Sequence, residues 1–272
     1  MLKVIMQKRG QVAVFVVIGI AVVILFVLLF YYRNTLISAA KGTVDTEQYL
    51  NDQLINIQEE IIEKCVVSET NDAIKLFLDN GGQFVDPLNF LRYNEKKYRI
   101  LCQNIPGKET CLSSPLSLTK VSEDFNFYLK DKISNCLDFS EFEDKNYELI
   151  YPDELELNTA VNLDSVIVES NYPVELTRNE FSVKSEKVVK TFNVPLGDII
   201  KAVNGVLDWR TKIGAFNPLL YGVNSHNKYI VDVKKPYPDE VYDVSLSAFP
   251  DYHFVFAITD EGRYDRLEGS RQ

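Results

Sequence analysis

The chain is poor in histidine, cysteine and tryptophan, which number 2, 4 and 1 among its 272 residues. With His226 and His253 alone, schemes of acid–base or nucleophilic catalysis built on imidazole have few candidates. There is no GxSxG, HExxH, P-loop or GxGxxG motif, so the common hydrolase, metalloprotease and nucleotide-binding signatures are missing. No CxxC pair occurs and both histidines lie far downstream of the cysteines, so no metal site or other cofactor is expected. An Asn-x-Ser/Thr acceptor for N-glycosylation is also lacking. Two further absences concern charge. The first 44 residues hold no Asp or Glu, and no charged residue of either sign falls between Val12 and Tyr32.

That uncharged stretch is the strongest positive signal. Its 21 apolar residues follow a basic head carrying Lys3, Lys8 and Arg9. At about 1.5 Å per residue such a helix reaches roughly 30 Å, the thickness of a bilayer's hydrocarbon core. The expectation is a transmembrane helix over residues 11–33 behind a cytoplasmic head of residues 1–10. Three basic residues precede the run, whereas Arg33 and Lys41 follow it, so the positive-inside bias places the N-terminus in the cytoplasm and the bulk of the chain outside. A secretory signal peptide is the competing reading, with Ser38, Ala39 and Ala40 as small residues near a cleavage point, but its apolar core is normally shorter.

The tetrapeptide Lys8-Arg9-Gly10-Gln11 directly before the apolar run resembles the class III signal peptide of archaeal type IV pilin-like proteins. The resemblance implies a prepilin peptidase that cuts after Gly10 on the cytoplasmic side and leaves Gln11 as the new N-terminus, with the apolar segment retained as an anchor or a filament-packing helix. Many pilins carry Glu at the fifth position after the cut; Phe15 stands there instead, which weighs against filament assembly. The plain alternative is a single-pass anchor in which the Gly-Gln pair has no role. Glu63-Lys64-Cys65 and Gly81-Gly82 are similar to a pattern in anchored surface proteins of small-genome archaea, a family that implies no activity.

Beyond residue 44 the chain carries 24 Lys and Arg against 39 Asp and Glu, or −15. So acidic a surface argues against nucleic acid or anionic lipid headgroups as partners and suits solubility outside a cell or loose cation binding, the commoner role being a solvated face. Hydrophobic residues make up 46 % of the sequence, enough for a core. Cys65, Cys102, Cys111 and Cys136 all fall in one 72-residue stretch, and an even number in an exported chain predicts two disulfides. Of the three pairings, Cys102–Cys111 is favoured because Asn104, Pro106 and Gly107 suit a turn, together with Cys65–Cys136, which would join two helices.

Hydrophobic spacing predicts a helix through Tyr49, Leu50, Leu54, Ile57, Ile61 and Ile62, with Gly42 breaking the helix before it and Asp45 or Thr46 as N-cap. A second helix over 69–78 ends at Asn80-Gly81-Gly82, either separately or continuous with the first. An irregular Pro- and Gly-containing segment follows, then a helix over 118–137 with Phe125, Tyr128, Leu129 and Ile133 on one side. From Tyr147 the pattern alternates, predicting strands at 149–151, 160–163, 165–168, 174–176, 187–192, 229–233 and 252–258. A covering helix over 195–207 interrupts them, with Pro195 in its first turn. The aromatics Trp209, Phe216 and Tyr221 either form an exposed binding patch or complete a core, the latter being the commoner fate at a helix end. His253 is expected as a packed strand residue, His226 as an exposed loop residue, and Asp260, Glu261 and Asp265 as part of a polar tail without the EF-hand spacing.

The fold class expected is α+β: a single N-terminal transmembrane helix, a disulfide-containing helical stalk over 34–140, a distal, mainly antiparallel β domain with a covering helix over 141–259, and a charged tail over 260–272. The function expected is that of an anchored cell-surface protein with a structural or binding role and no enzymatic activity. Its expected partners are the lipid bilayer, a prepilin peptidase, and either a second copy meeting it through the transmembrane helix or a cell-envelope protein. A pilin-like filament subunit and an anchored enzyme of another class are the alternatives.

Overall fold

The computed structural model describes residues 8–104, 110–143 and 146–259; within the first helix, side chains are described for residues 17–32 and 46–57. The chain begins with helix α1 (Lys8–Ile57), passes through a π-helical turn (Gln58–Glu63) and continues as α2 (Lys64–Asp79). Gly42 does not break the helix, and neither Asp45 nor Thr46 caps a new one. One interior Gly costs about 1 kcal/mol relative to Ala, too little to end a helix whose flanks both propagate.

The π turn has a cause in the burial pattern. Leu50, Leu54 and Ile57 are buried at α-helical spacing, but the next buried residue is Ile62, five positions on. An α-helix would carry that side chain off the packed face, whereas one wider turn absorbs the extra residue. From there Ile62, Val66, Ala73, Phe77 and their neighbours keep to one stripe. The first part packs on strands β7 (Glu175–Arg178) and β8 (Phe181–Lys184), and α2 packs on β12 (Phe249–Thr259) and on α3 (Leu118–Cys136).

Among the described residues, three sheets carry the rest. The largest has the order β1-β2-β12-β11-β10, where β1 is Phe90–Tyr93, β2 Lys96–Asn104, β10 Tyr229–Lys234 and β11 Glu240–Leu246, and β3 (Cys111–Ser113) pairs with the far end of β2. The β2–β12 pair is parallel, and every other pair is antiparallel. One sheet thus takes strands from both sides of residue 140. Strands β1 to β3 replace the irregular segment expected after the double glycine, because the hairpin and its disulfide supply pairing that the sequence pattern does not show. A second sheet joins β4 (Glu148–Ile150), β7 and β8, and a third joins β5 (Glu156–Val161), β6 (Val166–Asn171) and β9 (Val188–Phe192). The hairpin strand β8 and the central strand β11 are absent from the sequence reading, as is the short helix α6 (Pro218–Asn224); a further single turn, α4, spans Ser140–Glu143 and α5 spans Leu196–Lys212.

The core is one continuous cluster that includes Phe77, Phe125, Leu129, Ile133, Ile199, Val203, Tyr242, Phe254 and Phe256. Helix α5 is the covering helix foreseen, laid over β2, β3 and β11 with Ile199, Ile200, Val203 and Leu207 buried. Its start is locked to the β5–β6 turn. The amides of Gly197 and Asp198 donate to the carbonyls of Asn162 (3.1 Å) and Leu163 (3.0 Å), an approach so close that a Cβ at position 197 would collide with the Asn162 backbone. The α+β class and its antiparallel sheets agree with the expectation. A transmembrane span is not shown: among the described residues, no helix is long and apolar enough to cross a membrane. The described side chains of the run are Val17–Tyr32, about 24 Å of helix, so the expected span of residues 11–33 lies partly outside the described residues.

Candidate functional site

Val17–Tyr32 forms an apolar helical surface that no other element covers among the described residues. Fourteen large hydrophobic side chains there are exposed, from Leu28 at 50 % and Val22 at 48 % to Tyr31 at 70 %. Removing a large apolar side chain from water is worth about 1.5–3 kcal/mol, so the surface holds an unmet gain on the order of 20 kcal/mol. A helix apolar on all sides is stable only in an apolar surrounding. Gly10 and Gln11, the expected processing pair, lie in the first turns of α1, where the backbone alone is described.

All four cysteines are paired, as Cys65–Cys136 and Cys102–Cys111, with Cα atoms 5.8 and 5.5 Å apart. The first ties α2 to the end of α3 across 71 residues, and the second closes the β2–β3 connection, whose residues 105–109 lie outside the described residues. Neither bridge sits on a reactive surface: Cys102 is fully buried and Cys65 nearly so.

The histidines are placed differently from each other. His226 is exposed in a left-handed turn with φ of 53°. His253 is not packed in the core, because β12 points Phe254 and Phe256 inward and sends the alternate residues His253 and Val255 to its other face. Its Nδ1 lies 2.8 Å from Asp243 Oδ1, at the edge of a cleft of about 490 Å³ that Asp79, Asp86, Lys96, Lys97, Lys234 and Asp243 line. The described lining of this cleft has no Ser, Thr or Cys, and His253 itself lines a separate pocket of about 290 Å³. With half of the His253 side chain exposed, its contact with Asp243 is a surface one of small energetic weight. Among the described residues, no group of three or more His, Cys, Asp or Glu side chains is placed to hold a metal ion. Asp260, Glu261 and Asp265 lie outside the described residues.

Trp209, Phe216 and Tyr221 pack on one another, and Phe216 and Tyr221 also pack against the core, with all three left partly exposed. Trp209 Nε1 donates to the Ala215 carbonyl (2.9 Å), Phe216 meets the fully buried Tyr242, and Tyr221 stacks on Tyr229. The Tyr221 hydroxyl donates to the Ala202 carbonyl (3.0 Å) and fills the space above Gly205, where a Cβ would strike it. Burial, and secondarily Tyr229, pushes the Tyr221 hydroxyl up to about 12.

A second aromatic group, which the sequence reading does not contain as a site, does open to solvent. Phe84 stacks on Tyr128 (4.3 Å between centroids, 10° between planes) and meets Phe125 edge-on (4.8 Å), so it is keyed into the core. The strand-free segment that carries it is pinned at its start. Gly81 and Gly82 have φ of 64° and 87°, and Arg99 donates to both of their carbonyls, at 3.2 and 2.9 Å. Burial draws the Arg99 guanidinium below its ordinary value, with Asp124 opposing. Between this segment and α3 lies a groove of about 440 Å³, lined by Gln83, Phe84, Val85, Phe127 and Tyr128 with the carboxylates of Asp124 and Asp131. Phe127, in its lining, is 84 % exposed, and Val85, also in its lining, is exposed too. The available signal was helical spacing: Asp124, Phe127, Tyr128 and Asp131 share one face of α3, and Phe127 falls off the stripe Val121, Phe125, Leu129, Ile133 that faces the core.

Comparison with protein-family models, with curated proteins and with solved structures finds no match for the chain.

Proposed function

We propose that this chain is a single-pass, membrane-anchored protein whose disulfide-tied α+β domain stands outside the cytoplasm, at an archaeal cell surface, and acts there by structure or binding. The observation that carries the reading is the uncovered apolar surface of Val17–Tyr32, continued by one helix into the packed domain. Lipid is the surrounding that removes so large an apolar area from water at once. Two disulfides support the exterior placement, since such bridges persist in oxidising compartments.

A pilin-like filament subunit is the second reading. In its favour is the helix that runs without a break from Lys8 to Ile57, so an apolar segment freed at Gly10 would stay rigidly joined to the domain. Against it stands Phe15 at the position that many pilins fill with Glu.

The test is intact and N-terminal peptide mass spectrometry on protein taken from the membranes of an archaeal host without reductant. A membrane-retained chain starting at Met1 supports the simple anchor, and one starting at Gln11 supports prepilin-type processing and directs attention to filaments. A soluble chain starting near Lys41 would sink the anchor.

A further inference from the structure

The groove between the Gly81-Gly82 segment and α3 has the makings of a recognition site: rigid aromatic walls, an exposed ring in the lining, and charge of one sign. We propose that it receives a basic, apolar segment of a partner polypeptide, with aliphatic residues packed on Phe84, Val85 and Phe127 and a Lys or Arg side chain between Phe127 and Asp131. This deepens the binding role proposed above but rests on the domain alone, not on the anchor.

Three observations carry the choice of partner. The first is charge: among the described residues, the ionic side chains that line the groove are Asp124 and Asp131. Asp124 is already engaged by Lys120 (3.0 Å) and feels Arg99, whereas Asp131 has no hydrogen bond or ion pair among the described residues. A cation in the groove would give Asp131 its partner. The second is the ring chemistry. Lys132 Nζ already rests 5.6 Å from the Tyr128 centroid, and Phe84 stacks on that ring, so the ring left free to take an incoming cation is Phe127. The third is preorganisation. Phe84 is held by Phe77, Phe125 and Tyr128, and the turn before it is held by Arg99, so a ligand would not have to order the walls. A domain of net charge −15 beyond residue 44 also favours the approach of a basic partner.

The experiment uses the full chain in uncharged maltoside micelles, titrated calorimetrically with an acetylated, amidated hexapeptide of alternating Leu and Lys, and with its Leu-Glu counterpart. Saturable one-to-one binding of the Lys peptide alone is expected. Phe127→Ala and Asp131→Asn, both at exposed positions, should each weaken it about fivefold. Glu186→Gln, which removes the same charge from an exposed site elsewhere, should leave it unchanged. Binding weakened equally by Glu186→Gln and Asp131→Asn would reveal diffuse attraction to an acidic surface and overturn the proposal, as would no saturable binding. Displacement of the peptide by free phosphocholine, lost in Phe127→Ala, would assign the groove to a lipid headgroup and overturn the choice of a polypeptide. Because membrane retention is read separately by mass spectrometry, loss of the groove and loss of the anchor are distinguishable.

Discussion

The two disulfides should differ in weight, and the order follows from chain topology. Cys65–Cys136 spans 71 residues and Cys102–Cys111 spans 9. If a bridge acts by removing loop-closure entropy from the unfolded chain, the long loop contributes about 4.4 kcal/mol and the short one about 2.6 kcal/mol at 25 °C. The native state adds little to the contrast, since all four sulfurs lie at packed positions and each Cys→Ala pair removes similar atoms. The double variants Cys65→Ala/Cys136→Ala and Cys102→Ala/Cys111→Ala should therefore separate by about 2 kcal/mol, the first being the less stable. At roughly 2–4 °C per kcal/mol for a domain of this size, melting should fall by about 9–18 °C and 5–10 °C. Thermal and urea unfolding, followed by fluorescence of Trp209 on α5, reads both variants in one protein. Equal losses, or a larger loss from the short loop, would refute the entropic argument and point to native-state packing around Cys102 instead.

Three further outcomes are expected. Gly197→Ala should destabilise by about 2 kcal/mol in urea unfolding, because overpacking against the Asn162 backbone outweighs the gain in helix propensity. Gly222→Ala in α6 has room, its nearest neighbour being Asn227 Oδ1 at 3.6 Å, and should be neutral or slightly stabilising; similar losses at both sites would refute the steric account. Deleting Glu60 from the π turn should restore α-helical spacing between Ile57 and Ile62 at a cost within about 1 kcal/mol, whereas inserting Ala after Glu60 should cost several times more by circular-dichroism melting, and the reverse order would show that the wide turn is not a phase correction. Tyr221 is held neutral in the fold, so its contribution is complete below the ordinary tyrosine value near 10 and is lost as pH rises through about 12. Stability should therefore fall less steeply across that window in Tyr221→Phe than in the parent, and identical slopes would exclude this group as the cause.

What could be read locally was read correctly where a pattern was both long and one-sided. The stripes of α3 and α5 are buried as their spacing demands, and the double glycine ends α2 with both residues at positive φ. Of the three possible cysteine pairings, the favoured one is the one present, because turn residues between Cys102 and Cys111 and helical spacing around Cys65 and Cys136 are local signals. The short strands β1 and β3 could not be read, since four and three residues carry too little alternation to stand out from a loop. Strand β11 escaped for the opposite reason. Buried on both faces, with Val241, Tyr242, Val244, Ser245 and Leu246 all inside, it has no polar side to alternate with.

The groove was hidden by the same locality. Phe127 is visibly off its helix's apolar stripe, but nothing in sequence says that residues 83–85 return to lie beside it, because that return depends on Arg99 of β2 reaching the carbonyls of Gly81 and Gly82. By itself, then, the sequence determined the apolar N-terminal helix, the acidic and disulfide-bonded remainder and the principal amphipathic helices, all of which follow from composition and near-neighbour spacing. Only the tertiary structure decided the parallel pairing of β2 with β12, the π turn, the outward turn of His253 towards Asp243 and the acidic aromatic groove, since each arises where residues distant in the chain compete for the same space.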